Sequence, residues 1–220
     1  MASEKLFVVI PAYNEGKRIA KVIRKARRYC ENVVVVDDGS SDNTSEVAEK
    51  EKAVVLRHII NIGKGAALKT GCDYAVKQKA DKIIVMDADG QHDPALIPLF
   101  VKVLRNNDIV FGCRKFNKKM PLIFRFGNSF INKVQEILFN IRISDTQSGY
   151  RAFTADAYKK IRWDAIDYSM ESEMIANVSK NNLKYIEIPI TTIYAEKYKG
   201  TTIIDGIKIV LKMIWWRVAK

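Results

Sequence analysis

Asp87 and Asp89 stand one residue apart in the stretch Lys82-Ile-Ile-Val-Met-Asp-Ala-Asp-Gly-Gln-His-Asp-Pro94. Two carboxylates held that close repel each other unless a positive charge sits between them. A hard divalent cation with oxygen ligands is the natural occupant, and Mg²⁺ or Mn²⁺ bridges one or two carboxylates to substrate phosphates. A solvated acidic turn is the competing reading of an isolated Asp-x-Asp. The flanking residues place the pair. The run before it is apolar, the pattern of a buried strand. Gly90 and Asp93-Pro94 then turn the chain into a helix, with Asp93 suited to the N-cap and Pro94 to the first helical position. The carboxylates therefore sit where a strand leaves the sheet, which is where ligands bind in open α/β sheets.

The elements around this pair follow one pattern. Apolar, β-branched runs at Leu6–Ile10, Asn32–Val36, Ala53–Arg57 and Asp108–Gly112 alternate with helical spacings at Arg18–Tyr29, after Ser40-Ser41-Asp42 to about Lys50, from Asn61 to about Lys79 and over Pro94–Arg105. Strands alternating with helices predict βαβ units and a mainly parallel sheet. In such a sheet the polar turns Pro11–Glu15, Asp37–Asp42 and Asp87–Gln91 open on one edge and can converge on one ligand. After Cys113 the pattern changes. A basic turn, Arg114–Pro121, precedes a long amphipathic helix over Pro121–Ile141, a polar loop Ser144–Arg151 entering a short strand, a helix over Glu171–Lys180, one or two strands in Tyr185–Tyr194 with Pro189 marking an edge or bend, a loop at Tyr198–Thr202, and a last helix over Ile203–Val218.

Composition bounds the rest. The chain has 220 residues, enough for one large domain, and 37 basic against 25 acidic residues give a net charge of +12. That excess favours an anionic partner. The three cysteines, Cys30, Cys72 and Cys113, form no C-x-x-C pair, so neither a disulfide framework nor a zinc site is indicated, and a reducing cytosol fits. No signal peptide is read at the start. No apolar stretch reaches the roughly 18–20 residues that a membrane span needs.

The motifs, taken in order, resemble the family 2 glycosyltransferases of GT-A fold, and within them the dolichol-phosphate mannose synthase branch and related polyprenyl-phosphate sugar transferases. Ile10-Pro-Ala-Tyr-Asn-Glu, Val36-Asp-Asp-Gly-Ser-Ser-Asp-Asn-Thr, Gly63-Lys-Gly-Ala-Ala, Met86-Asp-Ala-Asp-Gly-Gln-His-Asp-Pro and Asp145-Thr-Gln-Ser-Gly-Tyr-Arg carry the resemblance. It implies an α/β nucleotide-sugar transferase. Pro11, Tyr13 and Glu15 would line the nucleotide pocket, and Asp37 or Asp38 would hold the base or ribose. Asp87, Ala88 and Asp89 would form the metal and donor site, with Gln91 as a further ligand to Mg²⁺ or Mn²⁺. Arg114 is the next cation expected at the leaving diphosphate, and Asp89, Arg114 and Arg151 are the residues expected to carry catalysis. Arg151 would meet an acceptor phosphate through bidentate contacts, with a buried structural arginine as the equal alternative; Arg125 is a weaker candidate.

Several residues have two readings. Gly63-Lys64-Gly65 fails as a P-loop, because no Ser or Thr follows the Lys, and fails as G-x-G-x-x-G, because Leu68 holds the third place. It reads as a close-packed helix start with Lys64 near a phosphate. Glu171 and Glu173 would be candidate bases if the acceptor were a sugar hydroxyl, and an ordinary charged helix start if it were a lipid phosphate. His92 sits beside the acidic turn as a supporting residue, and His58 carries no catalytic expectation. On a helical wheel Ile203, Ile207, Val210, Leu211, Ile214 and Val218 share one face of the last helix, with Asp205, Lys208 and Lys212 opposite. With Trp215, Trp216, Arg217 and Lys220 this fits a helix lying in a membrane interface.

The expectation is thus one catalytic domain over 1–220. Residues 1–113 bind the nucleotide-sugar, 114–200 bind the acceptor, and 201–220 form the interfacial helix. The protein would move a sugar, GDP-mannose being the first donor and UDP-glucose or UDP-N-acetylglucosamine the others, to dolichyl or polyprenyl phosphate with inversion. It would work peripherally at the cytoplasmic face of a membrane, alone or with a membrane-protein partner, since many relatives continue into transmembrane helices. A transferase acting on a sugar hydroxyl is the first rival. A basic nucleic-acid-binding module is the second; its basic residues are scattered and no nucleic-acid motif appears, so no nucleic acid is expected as partner.

Overall fold

The computed structural model describes residues 4–114, 122–191 and 203–219. Its strands are β1 (Leu6–Ala12), β2 (Asn32–Asp37), β3 (Val54–Arg57), β4 (Lys82–Val85), β5 (Ile109–Arg114), β6 (Arg151–Thr154) and β7 (Tyr185–Ile190). They form one sheet in the order β3-β2-β1-β4-β6-β5-β7. Every neighbouring pair is parallel except those of β6, which runs antiparallel to both β4 and β5. The helices are α1 (Ile19–Ala26), α2 (Thr44–Lys50), α3 (Lys64–Lys77), α4 (Ile97–Val103), α5 (Leu122–Phe139), α6 (Ala155–Ile161), α7 (Met170–Lys180) and α8 (Ile203–Ala219).

The sheet is buried on both faces, and strand periodicity divides the core. Val9, Val34, Val36, Ile83 and Val85 join Leu68 and Cys72 of α3 and Met174 and Ile175 of α7 on one side. Val8, Ile10, Val33, Val35 and Ile84 join Ile19 and Ile23 of α1 and Phe100 of α4 on the other. Each such side chain contributes on the order of 1.5–3 kcal/mol on burial. The register sets Val9 of β1 beside Val34 and Val85. This aligns the carboxyl ends of the parallel strands, so the turns after β1, β2 and β4 leave one edge together.

The acidic turn folds as its residues dictate. Asp93 caps the following helical turn by accepting the Ala95 N–H at 3.0 Å, with Pro94 first inside it. That turn is a 3-10 turn over Pro94–Leu96 and only then passes into α4. Helix α6 has no counterpart among the expected elements; Thr154 caps it by accepting the Ala157 N–H at 3.1 Å. β7 lies at the sheet edge, where Pro189 leaves no ladder partner short of a donor. The three cysteines are buried free thiols. The basic turn after Arg114, the Tyr198–Thr202 loop and the Arg125 side chain lie outside what is described.

The last helix packs by one face and exposes another. Ile209 and Met213 are buried, and Val210 and Trp216 pack with them against Ile131, Val134 and Leu138 of α5. Most of the stripe seen on the wheel faces outward: Ile207, Leu211, Ile214 and Val218 are exposed, as is Trp215 beside them, while Val210 packs inward. The helix is apolar on two faces, and the wheel could not tell which one the protein uses. No described helix is long and apolar enough to cross a membrane.

Candidate active site

The turns after β1, β2 and β4, the end of β5, the start of α3, the loop before β6 and the start of α7 enclose a cleft of about 450 Å³. Pro11, Tyr13, Glu15, Asp38, Lys64, Asp87, Ala88, Asp89, Gln91 and Arg114 line it, as do Gln147, Gly149, Asp167, Tyr168 and Glu171. Among these lining residues the acids are Glu15, Asp38, Asp87, Asp89, Asp167 and Glu171, and the cations are Lys64 and Arg114. A cleft this acidic, in a protein of net charge +12, repels a diphosphate unless a further cation enters with it.

Two expected residues are elsewhere. Asp37 is fully buried beneath the turn, accepting the Ser40 N–H at 2.9 Å and the Ser45 hydroxyl. It shapes the loop, and its neighbour Asp38 is the one that reaches the cleft. Asp38 is itself committed: it accepts the N–H groups of Ile62 at 3.0 Å and Gly63 at 2.8 Å and meets His58 Nδ1 at 2.7 Å. Arg151 is 1% exposed. Its guanidinium donates to the carbonyls of Ser148 at 2.9 Å, Glu171 at 3.0 Å and Thr146 at 2.7 Å and lies 5.2 Å from the centre of the Phe111 ring. The structure thus assigns Arg151 the buried alternative: it ties the loop before β6 to α7 and is absent from the cleft lining.

At the cleft floor Lys64 bridges two carboxylates, with Nζ 2.8 Å from Asp87 Oδ1 and 3.0 Å from Glu171 Oε1. Helix α3 can start here because its first turn meets the 163–166 loop directly. Gly63, at φ 119°, would put a Cβ 2.4 Å from the Ile166 carbonyl oxygen, so only glycine fits. Gly65 donates to that same carbonyl at 2.8 Å and accepts from Trp163 Nε1 at 2.8 Å. The helix start is close-packed, and Lys64 points from it into the site. Gly149 presses on the bridge from the other side; a Cβ there would stand 2.7 Å from Asp87 Oδ2 and 2.9 Å from Lys64 Nζ.

Burial would push the Asp87 carboxyl up, but Lys64, then His92 and Arg114, overcome it and hold the group at about 2. His92 accepts the Asp87 N–H through Nδ1 at 3.1 Å and stacks on Tyr150. Burial lowers its pKa, against the pull of Asp87 and Asp89. Asp89 accepts the Gln91 N–H at 2.9 Å, closing the turn. Arg114 is aimed by Asp145, which takes Nε at 2.6 Å and Nη2 at 2.9 Å. Glu171 and Glu173, two residues apart, have different roles. Glu171 reaches the cleft, whereas Glu173 accepts the N–H groups of Asp164 at 3.1 Å and Ala165 at 2.8 Å. Asp167 and Tyr168, which sequence reasoning missed, come from a loop with no motif. Lys212 of α8 holds Asp167 at 2.8 Å.

Among the described residues, no three His, Cys, Asp or Glu side chains are grouped to hold a metal by themselves. The donor set at the acidic turn, Asp87 and Asp89 with the amide of Gln91, suits a cation that keeps several ligand positions for water and phosphate, as Mg²⁺ and Mn²⁺ do. Lys64 lodged between two carboxylates is a cation already standing in that field.

A mainly parallel sheet that opens at its carboxyl edge on an acidic cleft is the architecture of a ligand-binding α/β fold. The chain belongs to glycosyl transferase family 2, which matches residues 7–162. It is therefore a glycosyltransferase. It is 41% identical to an uncharacterized protein of Methanocaldococcus jannaschii, over 98% of this chain and 93% of that one. It is 32% identical, over 100% of this chain and 99% of the relative, to the UDP-N-acetylglucosamine–dolichyl-phosphate N-acetylglucosaminyltransferase of Methanococcus voltae. Among solved structures, glucosyl-3-phosphoglycerate synthase of Mycobacterium tuberculosis, in complex with Mg²⁺ and UDP, superposes with a TM-score of 0.77 at 16% identity, covering 99% of this chain and 80% of that one. That likeness concerns the fold.

Proposed function

We propose that this protein transfers a sugar from a nucleotide-sugar to a polyprenyl phosphate of dolichyl type, with inversion at the anomeric carbon. The observation that carries this reading is the cleft floor, where Asp87, Asp89 and Gln91 converge with Lys64 and Arg114 at the carboxyl edge of the sheet. The family and the full-length resemblance to a dolichyl-phosphate N-acetylglucosaminyltransferase support it. That relative shifts the first choice of donor from GDP-mannose to UDP-N-acetylglucosamine. Residues 4–113 supply the donor half and the residues after Arg114 the acceptor half.

Pro11, Tyr13, Glu15 and Asp38 bound the side of the cleft that would take the nucleoside. Asp87, Asp89 and Gln91 would hold Mg²⁺ or Mn²⁺, which when bound offsets the negative charge on the departing diphosphate. Arg114, fixed by Asp145, adds a permanent positive charge there. The acceptor needs no base. A phosphate monoester has its second pKa near ~6 and is largely dianionic at neutral pH. Its oxygen forms the new bond to the anomeric carbon as the bond to the nucleoside diphosphate breaks, so catalysis rests on position and leaving-group stabilisation. Glu173 lies outside the cleft lining and is held by two backbone amides, which removes it as a base for a sugar-hydroxyl acceptor.

The outward apolar face of α8, with exposed Trp215 and basic Lys208 and Arg217 nearby, suits a membrane interface rich in anionic lipid. In this reading the protein works peripherally at the cytoplasmic face, where a lipid-linked acceptor would meet the cleft. Calorimetric titration with UDP-N-acetylglucosamine, UDP-glucose and GDP-mannose, with and without Mn²⁺, tests the donor site. One nucleotide-sugar should bind only with metal and be lost in Asp89→Ala. No binding of any donor with metal present would overturn the reading.

A further inference from the structure

The Lys64 bridge is not needed to fold the cleft floor and is costly to build. It brings an ammonium and two carboxylates into a partly enclosed site, where desolvation offsets much of the attraction. Helix α3 is already docked there through Gly65 and Trp163. Glu171 is 3% exposed, and while its Oε1 meets Lys64, its Oε2 is buried with no hydrogen-bond partner among the described residues. A buried carboxylate oxygen left open on a residue that lines the cleft is an incomplete site. Asp87 has the complementary problem: one of its oxygens is spent on Lys64, 2.8 Å away. The Lys64 ammonium also lies 5.7 Å from the centre of the Tyr168 ring, so aromatic and carboxylate groups surround it.

We infer that Lys64 is a resident counter-cation that holds Asp87 and Glu171 together in place of a divalent metal, so that metal binds tightly only when a nucleoside diphosphate draws the ammonium off the carboxylates. This deepens the proposed function and rests on it. The electrostatics give the direction. Lys64 lowers the negative potential that a divalent cation would feel at Asp87, and so weakens metal binding to the empty cleft. A diphosphate offers the same ammonium a stronger anionic partner, and its own oxygens complete the metal's ligands. Metal and nucleotide then bind with positive coupling, and by linkage each strengthens the other equally. Lys64 and Glu171 are positioning residues in this account; neither transfers a proton.

Mn²⁺ binding to the whole protein, read from the electron paramagnetic resonance signal of free Mn²⁺, tests this without turnover. In the wild-type protein Mn²⁺ should bind weakly alone and far more tightly with saturating UDP or GDP. In Lys64→Met, Mn²⁺ binding without nucleotide should tighten by about tenfold or more, because two carboxylates lose their cation. Its dependence on the diphosphate should shrink accordingly. Mn²⁺ should also raise the melting temperature of Lys64→Met more than that of the wild type, which reads out even if the variant is destabilised. Glu171→Gln should do the reverse: Lys64 settles wholly on Asp87, and nucleotide-free Mn²⁺ binding weakens. Unchanged or weaker nucleotide-free binding in Lys64→Met would overturn the inference while leaving the donor site intact. No Mn²⁺ binding by the wild type with either nucleotide would overturn the proposed function as well.

Discussion

Around the cleft, polar side chains are pinned: Asp38 by two amides and His58, Arg114 by Asp145, Asp87 by Lys64 and His92. On α8, at the other extreme, large apolar side chains are largely exposed, Trp215 at 67% and Val218 at 81%. The first region spends charged groups to fix a geometry before any ligand arrives, which is what stabilising developing charge demands. The second leaves hydrophobic area uncovered, which a monomeric protein in water rarely does on this scale. In the proposed reading the first region meets a soluble, anionic ligand and the second an apolar surface. A polyprenyl phosphate has both characters in one molecule.

The largest effect should come from breaking the pinned region. Asp89→Ala should lower transfer by roughly a hundred- to a thousandfold, the scale of losing one preorganised charge-stabilising group, with little change in urea unfolding. The two arginines sharpen the contrast between binding and holding. Arg151→Ala should destabilise the fold by at least about 3 kcal/mol, since three carbonyls lose their donor and each costs on the order of 1–3 kcal/mol. Arg114→Lys, which keeps a cation beside the buried Asp145 carboxylate, should retain most of the stability and lose most of the activity, because the planar fork is gone. Denaturant midpoints beside initial rates would tell them apart; a stable, inactive Arg151→Ala would return that residue to the acceptor site.

The glutamates divide similarly. Glu173→Gln should cost about 1–3 kcal/mol of stability by weakening its two backbone hydrogen bonds, while Glu171→Gln should keep transfer to lipid phosphate within a few-fold of wild type. A large rate loss in Glu171→Gln with an unchanged KM and a shifted pH profile would point to a base and a sugar-hydroxyl acceptor.

Asp87 gives a pH test of the pinning itself. Its carboxyl lies at about 2 in the folded protein against an ordinary 3.8. A depressed carboxyl contributes stability that is present above the ordinary value and lost as pH falls through the folded one. The contribution, about 2 kcal/mol, should therefore be complete above about pH 4 and fade toward pH 2. Urea unfolding of wild type and Asp87→Asn from pH 5 to 2 would show it as a steeper decline in the wild type. The smallest effect belongs to α8. Leu211→Glu with Trp215→Glu should weaken sedimentation with anionic vesicles by about tenfold or more and leave nucleotide binding untouched. Unchanged vesicle binding would remove the apolar face from the account.

The acidic turn was legible in the sequence because strand end, turn and helix cap are contiguous there. Val85 to Pro94 carries its own strand end, its carboxylates, its cap and its proline, and all fold locally as their chemistry requires. What the sequence hid is non-local. Asp37 and Asp38 are adjacent and chemically identical, and only the Ser40 and Ser45 contacts decide which one turns inward. Arg151 has the right chemistry for a phosphate, but three carbonyls brought together by β6 and α7 claim it first. The antiparallel sense of β6 follows from its insertion between β4 and β5, which no local pattern encodes. Helix α8 is apolar on two faces, so periodicity named a stripe without naming its partner. Tyr168 and Asp167 enter the cleft from a loop whose path is set by Lys212 and by the start of α3.

The most direct test supplies the full chain with UDP-N-acetylglucosamine, Mn²⁺ and liposomes containing either dolichyl phosphate or dephosphorylated dolichol, and follows lipid-linked sugar by mass spectrometry. The account predicts a phosphate-linked sugar product from dolichyl phosphate alone, with β configuration from the α-linked donor, and none in Asp89→Ala. GDP-mannose and UDP-glucose run in parallel would locate the donor if this one is inert. Binding of a nucleotide-sugar in the cleft with no transfer to dolichyl phosphate from any of the three, together with transfer to a sugar hydroxyl, would contradict it.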